Sequence, residues 1–118
     1  MLRSLTLALS LAATTVAAQE VTSASGGIVR VLDKVTAITT DLELSEGATG
    51  TVGHLTVQLN ECRYPTDNPL SDAFGELVIH YRDERQPVFN GWMIASAPAL
   101  NAMDHPRYDV WMLRCITS

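Results

Sequence analysis

Several features that define whole classes of protein are scarce in this sequence. Its 118 residues include two cysteines, and the eight lysines and arginines are scattered along the chain rather than clustered. Because nucleic acids and anionic membrane surfaces are bound by basic patches, we expect neither as a partner. No apolar run approaches the roughly 20 residues that a membrane-spanning helix needs. The 13 acidic residues mainly favour solubility.

The motifs of common enzyme classes are also missing. The sequence has no glycine-rich phosphate loop, no Gly-x-Ser-x-Gly motif and no cysteine close to a histidine. Its three histidines, His54, His80 and His105, lack the short spacing of zinc ligands, and scattered surface histidines are the simpler interpretation. We therefore expect no metal and no cofactor, and we favour a protein that is not an enzyme.

The first 18 residues are typical of an export signal. Arg3 precedes an apolar segment over 5–16, and Val16-Ala17-Ala18 fits the small-residue rule for signal peptidase. We predict cleavage after Ala18 and a periplasmic or secreted protein without a transmembrane segment, with a retained N-terminal anchor as the alternative. Residues 19–118 are enough for one domain. In an exported chain the two cysteines predict a Cys62–Cys115 disulfide, with free or metal-binding thiols as the alternative.

Alternating apolar and polar residues predict an all-β fold. We interpret the small, polar residues 19–27 as a flexible lead-in, and 28–118 as a single β-domain. A loop is expected over 64–72, and a short helical turn capped by Ser96 is expected to pack through Leu100 and Met103. The predicted strands are 28–34, 38–44, 49–52, 54–60, 73–82, 88–95 and 108–116. They indicate a small antiparallel β-sandwich or partly open barrel of about seven strands.

The two cysteines raise a question of strand geometry. By strict alternation Cys62 falls on the polar face of its strand, so we expect a bulge or other irregularity near Asn60 and Glu61. The last strand is apolar on both faces, which favours a central position in a sheet. Counting back from Cys115 places Trp111 in the core. We therefore expect Trp111→Ala to fail to fold and His105→Ala to fold normally.

Three stretches resemble a known family. They are Val31-Leu32-Asp33-Lys34-Val35-Thr36, Glu61-Cys62-Arg63, and the segment from Gly91-Trp92-Met93 to Cys115. Together with the signal and the spacing, they are similar to small exported Gram-negative proteins, the family of domain of unknown function 2155. Ile94 and Ala97 stand where the family would have Phe and Ser. The resemblance implies an envelope protein with a cysteine pair, and it supplies no activity.

Two groups of residues are candidates for a site. Asp104 and His105, near Tyr108 and Asp109, suggest a histidine oriented by a carboxylate, although a turn in which His105 bonds a backbone carbonyl is the simpler interpretation. Trp92 and Trp111 suggest stacking platforms, although core packing is the simpler interpretation.

The hypothesis that we favour is a non-enzymatic binding or envelope-support module. Its partner would be an envelope protein or a cell-wall component, held by the loops over 64–72 and 96–108. The candidate binding residues are Asp67, Asn68, Trp92, Asp104, His105 and Tyr108. The alternatives are a small hydrolase or enzyme inhibitor that uses Asp104, His105 and Asp109, and a carrier with an apolar interior.

Overall fold

The computed structural model describes residues 19–117, so the predicted export signal lies outside the described residues. Most of the described chain alternates between apolar and polar residues, and it forms eight strands and one short 3-10 turn, Pro98–Leu100. The strands are β1 (Val21–Ser23), β2 (Gly26–Asp33), β3 (Ile38–Ser45), β4 (Thr49–Val52), β5 (Leu55–Pro65), β6 (Phe74–Tyr81), β7 (Phe89–Ile94) and β8 (Tyr108–Cys115).

The strands form two antiparallel sheets. In the larger sheet β5 lies in the middle, with β6 and then β7 on one side. Strands β1 and β4 pair with different parts of β5 on its other side. The smaller sheet has the order β3-β2-β8. Buried side chains from both sheets form one core cluster, so the predicted small antiparallel β-sandwich is confirmed.

The core lies between the two sheets and is closed by the disulfide. Its fully buried aliphatic side chains are Val29 and Val31 of β2, Leu55, Val57 and Leu59 of β5, and Leu77 and Ile79 of β6. Cys62 of β5 is bonded to Cys115 of β8, with Cα atoms 5.8 Å apart, which confirms the predicted pairing. Gly27 and Gly75 border this bond, and a Cβ on either would collide with Met112.

Two bulges bring the cysteines to the inner face. The register of β5 against β6 shifts between Leu59 and Glu61, as predicted. A second shift, which the sequence did not reveal, occurs in β8 because consecutive residues of β2 pair with Met112 and Arg114. The extra residue, Leu113, reverses the alternation after it, so that Met112 and Cys115 both point inward.

The lead-in differs from the prediction. Val21–Ser23 forms β1 and pairs with the end of β5, and the Ala24 N–H donates to the Cys62 carbonyl at 2.8 Å. Gly26 and Gly27 already belong to β2. The small polar side chains over 19–27 gave no periodic signal, but a strand at a sheet edge is held by its backbone, which needs no such signal.

The predictions for the last strand were wrong in two respects. Strand β8 lies at an edge of the smaller sheet, since β2 occupies the centre. Trp111 is only half-buried and lies on the outer face opposite Arg30, whereas Tyr108 and Val110 point inward. Counting back from Cys115 assigned the wrong face because the bulge at Leu113 lies between Cys115 and Trp111.

The connections also differ in detail. Strand β5 continues to Pro65, so the loop predicted over 64–72 starts two residues later. The helical turn is shorter than predicted, and Ser96 does not cap it but donates through its hydroxyl to Asp72 at 2.6 Å. Met103 is buried as expected, whereas Leu100 is 75% exposed.

Candidate functional site

His105 and Tyr108 build a turn. His105 is 8% exposed, and its Nδ1 accepts the backbone N–H of Arg107 at 3.1 Å and that of Tyr108 at 3.2 Å. The buried Tyr108 hydroxyl accepts the backbone N–H of His54 at 3.2 Å. The ring of Tyr81 lies between these groups, 4.6 Å from His105 and 6.1 Å from Tyr108. His105 therefore bonds backbone donors, and not the carbonyl that the sequence suggested.

The residues of the hydrolase hypothesis have separate surroundings. Asp109 lies 3.5 Å from the Lys34 ammonium, whereas Asp104 is exposed. In the described part of the chain no hydrogen bond joins Asp104, His105 and Asp109. Nδ1 of His105 is occupied by backbone donors, so this nitrogen is not free to act as a base. Within residues 19–117 no group of three potential metal ligands occurs.

The turn at His105 is attached to the hairpin between β2 and β3. The Arg107 guanidinium donates to both carboxylate oxygens of Asp33, at 3.4 and 3.1 Å. The same carboxylate accepts the backbone N–H groups of Val35 and Thr36. Arg107 is the main cause that holds the pKa of Asp33 below its usual value, and the two N–H groups act in the same direction. Asp33 thus serves both as a turn residue and as an ion-pair partner.

Trp92 lies on the outer face of the larger sheet. The Arg63 guanidinium stacks over its ring at 5.0 Å, and Glu61 fixes Arg63 through two hydrogen bonds of 2.7 and 3.0 Å. Phe74 and Ile94 border the indole and complete an apolar patch. Arg63 covers one face of the ring, which leaves Trp92 less free as a stacking platform than the sequence suggested.

Two loops are fixed beside the outer part of β8. The loop over 66–73 and the segment over 95–107 are joined by Asp72, whose carboxylate accepts the Ser96 N–H at 3.0 Å and the Ser96 hydroxyl. The Ala95 N–H donates to the Ala73 carbonyl at 2.9 Å. Each loop presents a leucine to solvent, Leu70 at 82% exposure and Leu100 at 75%. Asp67 and Asn68 are exposed in the first loop, three and two residues from Leu70.

A groove runs between these loops and β8. It consists of three adjoining depressions. The middle one shares Leu113 and Ala95 with the second, and it shares Leu70 and Arg114 with the third. We call it the edge groove and define it by the β8 residues Trp111, Leu113 and Arg114 and the loop residues Leu70, Ala95 and Pro98. The edge groove is the place where exposed apolar side chains and an exposed cation meet.

The structure therefore does not gather the predicted binding residues into one site. Asp67 and Asn68 lie in a loop of the edge groove, Trp92 is on the other sheet, and His105 and Tyr108 are buried. The sequence analysis missed Leu70, Leu113 and Arg114. Leu70 is an isolated apolar residue in a polar loop, which is a signal that could have been used, whereas the bulge that exposes the other two has no clear sequence signature.

These features define a small disulfide-bonded β-sandwich with fixed loops on one side. The chain belongs to the family described as "Uncharacterized protein conserved in bacteria (DUF2155)", whose model matches residues 27–115. It is similar to "Uncharacterized protein RP359" of Rickettsia prowazekii (strain Madrid E), with 27% identity over 94 residues. The match covers 77% of this chain and 61% of that protein, so the chain spans less than two thirds of the relative's length. No solved structure matches the chain.

Proposed function

We propose that this domain is an exported, non-enzymatic binding module that holds a protein partner at the edge groove. The observation that carries the proposal is the exposure of Leu70 and Leu100 on two loops that flank the same strand. Leucines exposed to this degree contribute nothing to the domain's own core, and apolar surface beside polar residues is typical of protein contact sites. The proposal agrees with the prediction that the loops over 64–72 and 96–108 form the contact surface.

The loops are held in place before any partner binds. Asp72 accepts two hydrogen bonds from Ser96, and Asn101 donates to the Trp92 carbonyl at 2.8 Å. Loops that are already ordered lose less conformational freedom on binding, so more of the contact energy appears as affinity. This favours a binding role for both loops.

A protein is a better partner for the edge groove than a cell-wall sugar. Leu70, Leu113 and Pro98 are aliphatic, and Trp111 is the one aromatic side chain among the lining residues on which a sugar ring could stack. Aliphatic side chains beside charged groups such as Arg114, Asp72 and Arg30 match the apolar centre and polar rim of a protein interface.

Neither of the alternative functions gains support from the described residues. The hydrolase hypothesis needs Asp104, His105 and Asp109 to converge, and they have separate partners. The carrier hypothesis needs an open interior, and the space between the sheets is filled by side chains such as Leu59 and Leu77 that are 0% exposed. Binding at the surface is the function that this geometry supports best.

Export is part of the proposal. The Cys62–Cys115 disulfide is typical of an oxidising compartment. No helix in residues 19–117 has the length and apolar character needed to cross a membrane. Intact-mass measurement of the protein in a periplasmic extract should give a chain that begins at Gln19. A mass that includes residues 1–18 would contradict cleavage.

Photo-crosslinking in the bacterium tests the binding site. A crosslinking amino acid at Asp67 should give a specific adduct in the envelope fraction. Leu70→Asp and Leu100→Asp should each reduce its yield, because a carboxylate buried against a partner costs binding energy. Ile38→Asp is the matched control, since Ile38 is 63% exposed and lies on β3, at the opposite edge of the smaller sheet. Equal yields from all variants, or no specific adduct, would contradict the proposal.

A further inference from the structure

We propose that the edge groove takes an extended polypeptide segment of another protein, which adds to the free edge of β8 as a further strand and places an acidic side chain against Arg114. The inference rests on the proposed function and names the form of the partner.

The backbone of β8 is paired on one side. Among the described residues β8 pairs with β2 alone. The Arg107 carbonyl accepts from Lys34, and the Ile116 N–H donates to Gly26, so both point toward β2. Because backbone groups of a strand alternate in direction, intervening residues such as Val110 direct their N–H and C=O groups away from β2, toward the free edge of β8. No hydrogen bond from the described loops reaches the backbone over 109–114.

Two other edges carry features that disfavour strand addition. On β3, the opposite edge of the smaller sheet, Asp41 and Glu43 are exposed and would repel or disfavour a paired strand. On β7, the edge of the larger sheet, Asn101 occupies the Trp92 carbonyl at 2.8 Å. On β8 the outward side chains after Asp109 include Trp111 and Leu113, which an added strand would cover. Because β8 has its own bulge at Leu113, the stretch before it, around Val110 and Met112, is the part of this edge that suits strand addition.

The loops favour a single segment over a second copy of this chain. The loop residues Leu70, Ser71 and Ser96 line one side of the groove, and Leu113 and Arg114 of β8 line the other. A whole sandwich that approached through its own β8 would bring its own loops against these loop residues.

Arg114 supplies the charge that selects the segment. Its side chain is exposed, and the four ion pairs among the described residues use Arg30, Lys34, Arg63 and Arg107 as cations. Arg114 lines two of the three depressions, one together with Asp72 and the other together with Glu43. A carboxylate on the added segment would give a charge-assisted hydrogen bond, which is stronger than a neutral one.

Selection from random peptides tests the inference without a known partner. Phage-displayed peptides of about ten residues, long enough to cover β8, would be selected against the protein purified from a periplasmic extract. We expect selected peptides to combine alternating apolar residues with an acidic residue. Their binding should slow hydrogen exchange of the amides over 109–114. Failure to select any such peptide would overturn the inference.

Methylation of the peptide backbone separates strand addition from side-chain contact. N-methyl groups introduced one at a time in a synthetic copy of a selected peptide should weaken binding at alternate positions, by about tenfold each, because alternate N–H groups face β8. Arg114→Glu should weaken binding by a similar factor, whereas Arg85→Glu, in the hairpin between β6 and β7, should leave it unchanged. Loss at every position, or at none, would contradict a paired strand.

The two proposals can fail separately. If Leu70→Asp lowers the yield of the Asp67 adduct but methylation shows no alternation, the edge groove binds a partner by side chains and the strand is wrong. If methylation alternates but the adduct is unaffected by Leu70→Asp and Leu100→Asp, then β8 accepts a strand and the leucines do not form the contact surface.

Discussion

His105 shows at the scale of one residue how a functional-looking group can be structural. Its Nδ1 accepts two backbone N–H groups in a turn, in the position that an asparagine or aspartate oxygen often takes. The sequence indicated a turn here, from Pro106 and Asp104, but the direction of the hydrogen bonds depends on the folded backbone. The expectation that His105→Ala would fold normally is therefore revised.

Removal of the His105 ring should destabilise the domain. His105→Ala leaves the N–H groups of Arg107 and Tyr108 without their acceptor, and an unmet buried donor costs about 1–3 kcal/mol. His105→Asn is the matched control, because its side-chain oxygen can accept in the same turn. Urea unfolding of the three proteins measures the difference. If both variants lose the same free energy of unfolding, His105 stabilises the domain through ring packing against Tyr81 and not through the hydrogen bonds that its Nδ1 accepts.

Asp33 predicts a dependence of stability on pH. Arg107 and backbone N–H groups lower the pKa of Asp33 in the folded protein. The stabilisation is therefore complete above the unfolded-state value of about 3.9 and is lost as pH falls through the lower folded-state pKa. The free energy of unfolding should therefore decrease less between neutral and strongly acidic pH in Asp33→Asn than in the unaltered protein. Unfolding curves recorded at a series of pH values measure this difference.

Glu20→Gln is the control for that measurement, because the exposed Glu20 has no ion-pair partner among the described residues. It should leave the pH dependence as in the unaltered protein. If Asp33→Asn loses as much stability at acidic pH as the unaltered protein, Asp33 does not contribute to that loss. Asp41 and Glu61, whose pKa values are also lowered, would then account for it.

At the scale of the element, β8 is the strand whose faces were assigned wrongly. Strands with one apolar face, such as β6, could be predicted from alternation alone, because burial must select that face. Strand β8 is apolar on both faces, and the bulge at Leu113 breaks the count between Trp111 and Cys115. The bulge at Asn60 was predictable since a cysteine on the polar face required it. No comparable conflict marked the second bulge.

Truncation of Trp111 tests the revised face. Trp111 is half-buried on the outer side of β8, so Trp111→Ala should fold and melt near the unaltered protein. Leu77→Ala is the contrast, because Leu77 is 0% exposed and a buried Leu→Ala change costs about 2–5 kcal/mol. Thermal melts of both variants measure the two losses. A larger loss for Trp111→Ala than for Leu77→Ala would restore the core assignment of Trp111.

At the scale of the whole molecule, the two sheets are joined by a covalent bond as well as by the core. The loop closed by Cys62 and Cys115 has a sequence separation of 53. The chain-entropy model gives about 4 kcal/mol for closing such a loop, which is a large share of the 5–15 kcal/mol that stabilises a typical domain.

The sandwich fold could be predicted from strand alternation, whereas the edge groove could not, because it depends on how two loops meet a third element.

Loss of the disulfide should lower stability without changing the fold. The double variant Cys62→Ser and Cys115→Ser should unfold at a lower urea concentration, with a loss of about 2–5 kcal/mol. The reduced form of the unaltered protein should show a similar loss. If both unfold at the same urea concentration as the oxidised protein, the core alone holds the sheets together.

Under the export that we propose, the position of the disulfide would also set the order in which its thiols leave the cytoplasm. A chain exported N-terminus first presents Cys62 to the oxidising compartment 53 residues ahead of Cys115. With two cysteines in the sequence there is a single internal pairing, so a waiting Cys62 thiolate has only other molecules to react with. Slow translocation would therefore produce mixed disulfides and covalent dimers through Cys62, whereas rapid translocation would produce the correctly closed monomer without help from an isomerase.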